Sequence, residues 1–113
     1  MAIPDISVIV PVYGVEKYIT GCAESLFNQT MTNSVEFIFV NDATKDNSIG
    51  VLRDVISQYP RLESRIRIIS HNENKGLPSA RNTGLAAPGV NISFTLMATI
   101  LRSQRCWRIY MLR

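Results

Sequence analysis

Apolar positions fall first into unbroken runs and then into spaced stripes, and the alternation repeats along the chain. Ile6-Ser7-Val8-Ile9-Val10-Pro11-Val12 ends abruptly at Tyr13 and Gly14, and Val35-Glu36-Phe37-Ile38-Phe39-Val40 ends at Asn41 and Asp42. A strand buried on both faces of a parallel sheet reads as such a run. The segment from Glu16 to Asn28 follows with Ile19, Cys22 and Leu26 on one helical face and Tyr18 one step round. Gly21 inside it costs about 1 kcal/mol against Ala, so packing must hold that helix. Ile49, Leu52, Ile56 and Tyr59 give a second stripe, with Asp46 or Asn47 as its N-cap and Pro60 as its stop.

Arg65 to Ile69 predicts a shorter third strand, and Leu77 to Ala87 a third helix with Pro78 in its tolerant first turn. The order β-α-β-α-β-α implies an α/β fold with a parallel sheet and right-handed crossovers. In open sheets of this kind ligands bind beyond the carboxyl ends of the strands. Tyr13 and Asp42 sit at two such ends. After Gly89 the register is lost, and Cys106, Ile109 and Leu112 offer only a weak helical stripe.

At 113 residues and 46% hydrophobic content, the chain suits one small core. No run approaches the roughly 18 apolar residues of a membrane span, and Met1 to Asp5 lacks a basic secretory start. Cys22 and Cys106 show neither metal-ligand spacing nor a disulfide framework, and His71 is the single histidine. A cytoplasmic, cofactor-free protein, at most peripheral to the inner face of a membrane, is the expectation. The net charge of +3 is unevenly placed. Residues 1–89 hold eight basic and nine acidic residues, a balance of −1, while residues 90–113 hold four arginines and no acid. The basic excess belongs to the tail, so no nucleic-acid partner is expected.

The strings Ile6 to Tyr13, Glu16-Lys17-Tyr18-Ile19 and Ser25-Leu26 resemble the opening of family 2 glycosyltransferases of the GT-A fold. Phe37 to Ser48 resembles their second motif, and Asn72 to Gly84 their third. The resemblance implies a Rossmann-like βαβαβα half of a GT-A domain over residues 1–89, with helices on both sheet faces. It also implies a nucleotide pocket built from Pro11, Val12, Tyr13, Glu16, Asp42 and Arg81. In that family the acid at the Asp42 position hydrogen-bonds the base, usually uracil. A carboxylate accepts from a ring N–H, and a buried acceptor rejects a base lacking that donor. The charge of Arg81 suits a diphosphate. Gly14 stands where the family often carries Asn.

Each position has a plainer reading. Tyr13 can cap the sheet edge, Asp42 a turn, and Arg81 can be simply solvated. Glu16 can be a first-turn acid favoured by the helix dipole. His71 reads as a strand-end residue without chemistry, and Asp46 and Asn47 as caps.

The resemblance further implies a fourth strand ending in an Asp-x-Asp-type motif that holds Mg²⁺ or Mn²⁺ against the departing diphosphate. No acid follows Glu73. Read one frame over, the codon junctions around Met97-Ala98 permit Asp-Gly-Asp-Asp, with the Gly forced by the single Met codon. Residues 90–113 are therefore expected to be a divergent, out-of-frame tail to a truncated product. The rival is a genuine C-terminus forming a fourth strand and a helix. The parent reaction transfers a sugar from a nucleoside-diphosphate sugar, UDP-linked by expectation, to an acceptor hydroxyl on an unknown glycan or lipid-linked sugar. With neither metal motif nor base, the isolated chain is expected to be inactive. The alternative is a non-catalytic module that binds a nucleotide or a partner protein.

Overall fold

The computed structural model describes residues 6–28, 35–87, 95–99 and 108–112. Its elements are β1 (Ile6–Val12), α1 (Ile19–Phe27), β2 (Val35–Asn41), α2 (Ser48–Ser57), a 3₁₀ turn (Glu63–Arg65), β3 (Ile66–Ser70), α3 (Leu77–Ala86), β4 (Thr95–Thr99) and β5 (Arg108–Leu112). The polar turn expected over 30–34, the stop at Pro88-Gly89 and Cys106 lie outside the described residues.

Five strands form one sheet in the order β3-β2-β1-β4-β5. The first four run parallel, and β5 pairs antiparallel with β4. The chain steps outward from β1 to β3 and then crosses back to place β4 on the other side of β1. That reversal makes the β1/β4 boundary the topological switch point, where α/β sheets open a crevice. Pro11 lacks a ladder donor and lies beyond the three β1 positions, Ser7 to Ile9, that pair with β4.

Alternate residues of the strands feed two apolar layers. Val8, Val10, Val12, Phe37 and Phe39 pack under α1 and α2 with Ile19, Cys22, Leu26 and Leu52. Ile9, Ile38 and Val40 pack under α3 with Ala80, Leu85 and Ala87. Both faces are covered, which is why the runs along β1 and β2 show little alternation. Phe27 is the hinge of the first layer, edge-on to Phe37 and Tyr59 at 5.2 Å each and to Phe39 at 6.1 Å. The face anticipated for α1 includes Tyr18, but the structure half-buries Tyr18 and buries Phe27 instead. The helix begins only at Ile19, so Tyr18 precedes its first turn.

Two other expectations change. Cys22 is disulfide-bonded and not a lone thiol; the chain's second cysteine, Cys106, is outside the described residues. The weak helical stripe drawn through Ile109 and Leu112 is replaced by β5. Pairing supplies the reason. β5 takes up the outer edge of β4 as its ladder partner, and Ile109 and Tyr110 favour extended backbone. On the α3 face, Glu36 is buried and ion-paired with Arg67 across β2 and β3.

Candidate functional site

Register brings three chain exits to one level. Val12 pairs with Asn41, and Asn41 with Ser70. Two further backbone bonds extend the ladder one residue, from Asp42 N to Val12 O at 3.1 Å and from His71 N to Asn41 O at 2.8 Å. Tyr13, Asp42 and His71 therefore leave the sheet side by side at its carboxyl end.

The loops after β1 and β2 are clasped together. Gly14 N donates to Thr44 Oγ1 at 2.8 Å, Val15 N to Ser48 Oγ at 3.1 Å, and Glu16 N to Asp46 Oδ2 at 3.2 Å. Asn47 N returns a bond to Glu16 Oε1 at 2.8 Å. The two hydroxyls pass the chain onward, each donating to Asp46 Oδ1 at 2.6 Å, and Ser48 N donates there at 3.1 Å. Burial alone would raise the Asp46 carboxyl. The bonds from Ser48, Thr44 and Glu16 outweigh it and lower the group to about 2. The N-cap position of α2 is Asn47, without a side-chain cap bond; Asp46 just before it accepts from Ser48 N at the helix start and ties the first loop to the second. Two left-handed residues make the close approach possible, Gly14 with φ 64° and Ala43 with φ 59°.

Asp42 organises the third loop. Its residue is 4% exposed, and its carboxylate accepts four bonds. His71 Nδ1 and Lys75 N donate to Oδ1, each at 2.8 Å. Asn74 Nδ2 and Gly76 N donate to Oδ2, at 3.0 and 2.8 Å. Burial pushes this carboxyl up, but the donors, His71 first, prevail and hold it below the usual carboxylate range. His71 is locked from its other side by a 2.6 Å bond between Nε2 and Thr83 Oγ1 on α3. The arrangement fixes the end of β2, the loop before α3 and α3 itself as one unit.

The remaining candidates divide. Tyr13 is 50% exposed, the one large hydrophobic side chain exposed among the described residues. Pro11 is half-buried near the end of β1, and Arg81 is exposed midway along α3. Val12 is fully buried, with its side chain in the core and its carbonyl taken by Asp42 N, so it shapes the floor without offering a group. Glu16 has one oxygen committed to the clasp. The sequence reading missed His71 and Thr83, although a histidine one residue past a strand end, level with Asp42, is the signal that points to them.

The sequence profile of glycosyl transferase family 2 matches residues 7–88, which span every loop just described. This chain belongs to glycosyltransferase family 2. Its relatives include the uncharacterised glycosyltransferase EpsJ of Bacillus subtilis, 47% identical over 93 residues. That match covers 81% of this chain and 25% of EpsJ. Staphylococcus aureus TarS, solved in complex with UDP-GlcNAc, superposes with a TM-score of 0.66 at 29% identity over 83% of this chain and 26% of that one. A mannosyltransferase of Pyrobaculum calidifontis, solved with GDP-Man and Mn²⁺, shares the fold with a TM-score of 0.76 at 21% identity, covering 88% of this chain and 28% of its own. The chain thus spans about a quarter of the length of the relatives it matches. Among the described residues, no helix is long and apolar enough to cross a membrane.

Proposed function

We propose that the three strand-end loops of this family 2 glycosyltransferase bind the nucleotide part of a UDP-linked sugar donor. The observation that carries the reading is the grouping of exposed Tyr13 and buried Asp42 on level, mutually clasped loops at the carboxyl edge of the sheet. An aromatic face stacks on a base, and a buried carboxylate takes its imide N–H. Arg81 is exposed on α3, and a guanidinium there suits a diphosphate. The complex of TarS with UDP-GlcNAc supports uracil as the base.

The parent reaction is transfer of the sugar from the nucleoside diphosphate to an acceptor hydroxyl. This chain's contribution is to bind and orient the donor. The relatives are glycosyltransferases, which favours this reading over a non-catalytic module. A divalent ion, when bound, neutralises the charge that builds on the departing diphosphate. The described residues do not fit one: no three of His, Cys, Asp and Glu converge, and Asp42 and Asp46 already have their oxygens filled by N–H and O–H donors. A hard cation needs carboxylate lone pairs left open.

We infer that residues 90–113 are read out of the family's frame. The family match ends at residue 88, between the last acid, Glu73, and the first of the four tail arginines, Arg102. β4 still forms there, paired in parallel with Ser7 to Ile9 of β1. Calorimetric titration of UDP into the chain and into Tyr13→Ala tests the binding reading. Saturable binding that weakens on loss of the ring supports it, and equal affinity removes Tyr13 from the site.

A further inference from the structure

We propose that Asn74 is a displaceable internal ligand of Asp42, holding the carboxylate position that a base N–H takes when nucleotide binds. The inference rests on the reading of Asp42 as the acceptor for the base. Four donors fill the carboxylate, and they are not equally held. His71 is pinned between Asp42 and Thr83, with its side chain 7% exposed. Lys75 N and Gly76 N are backbone donors, and Gly76 is anchored to α3 through the 3.1 Å bond that its carbonyl accepts from Ala80 N. None of these three can turn away without moving the loop or the helix.

Asn74 differs on each count. It is exposed, its donor is a side-chain amide that rotates freely, and its one amide nitrogen is shared between Asp42 Oδ2 at 3.0 Å and Asp42 O at 3.3 Å. Water can satisfy that amide once it leaves. Asp42 itself is closed to solvent, so the route to its carboxylate runs through the position Asn74 occupies. Nucleotide binding is then an exchange of one N–H donor for another, and its net gain is smaller by the strength of the bond displaced.

The exchange also limits which base fits. Rotation of Asn74 frees one position on Oδ2, while Oδ1 stays committed to His71 and Lys75. Uracil brings a single ring N–H between two carbonyls. Guanine brings two neighbouring N–H groups, and the second finds no free oxygen.

The test titrates UDP and GDP into the wild-type chain and Asn74→Ala, with thermal melts of both. Asn74→Ser, too short to reach Asp42, stands in if Asn74→Ala unfolds. Removing the internal ligand should tighten UDP binding roughly tenfold, the scale of one hydrogen bond to a charged group, with UDP preferred to GDP in both proteins. In amide-detected NMR of the wild type, UDP should shift the Asn74 side-chain signals while the Lys75 and Gly76 amides hold their hydrogen-bonded positions. Unchanged or weaker UDP affinity in the variants, GDP bound as tightly as UDP, or an Asn74 amide unmoved at saturation overturns the inference and leaves the nucleotide reading standing. Absence of UDP binding in wild type and variants alike overturns both.

Discussion

Ala43 follows Asp42 with φ 59°, the sole positive value among the described non-glycine residues. A left-handed L-residue costs about 1–2 kcal/mol, while Gly at the same place costs somewhat less than 1 in added freedom of the unfolded chain. Ala43→Gly should therefore stabilise the chain by about 0.5–1 kcal/mol, read as a raised melting temperature; a lowered one would show that the turn is not strained. The carboxylates on either side set a pH dependence. Asp42 and Asp46 both titrate below their ordinary value in the fold. A depressed folded pKa gives stability that is complete above the unfolded value near 3.8 and is lost as pH falls toward the folded value, about 2 for Asp46. The melting temperature should hold steady from pH 7 to 5 and fall between pH 4 and 2. A flat profile over that window would mean that neither network contributes. Asp42→Ala is expected to cost about 2–4 kcal/mol of stability, because it strands His71 Nδ1 and two backbone N–H groups without an acceptor. Denaturant unfolding measures it, and a near-neutral result would contradict the role given to Asp42.

Between elements, the tightest contact is α3 on β1. A Cβ on Gly84 would lie 2.7 Å from Ile9 Cγ2, and Ile9 is fully buried. Gly84→Ala gains about 1 kcal/mol of helix propensity but forces overpacking that costs about 1–3. Overpacking wins, so the variant should be less stable, and trimming the partner in Gly84→Ala/Ile9→Val should recover part of the loss. Full additivity of the two changes in a double-mutant cycle would refute the contact. At this scale the sequence was legible where burial dictates pattern. The strands β1 and β2 and the stripes of α1 and α2 follow from apolar spacing. What stayed hidden were side chains whose place depends on long-range register. Phe27 reaches Phe37 only once β2 is laid beside β1, and His71 meets Asp42 only because β3 ends level with β2. The positions of Asp42 and Tyr13 could be read from strand ends, but the four donors on Asp42 could not, since they come from 29 to 34 residues further along the chain. The weak stripe through Ile109 and Leu112 misled because short apolar segments carry no decisive period, and pairing with β4 settled their form.

For the molecule as a whole, sheet order and loop clasping converge on one edge. The strands run parallel from β3 to β4, so their carboxyl ends gather there, and Asp46 and Asp42 fix the three loops that emerge. The frame inference for residues 90–113 is checked by the coding DNA beyond the Gly89 codon. An open shifted frame encoding Asp-Gly-Asp-Asp opposite Leu96 to Ile100 is expected, and a stop codon within its first ten codons would end the idea. The central claim is that the gathered loops hold a uridine nucleotide. It is tested most directly by calorimetric titration of UDP into the folded chain beside Tyr13→Ala. The account predicts saturable binding that weakens roughly tenfold or more when the aromatic face is lost, the scale of one base stacked on a ring. No binding to the folded chain, or binding indifferent to Tyr13, would contradict it.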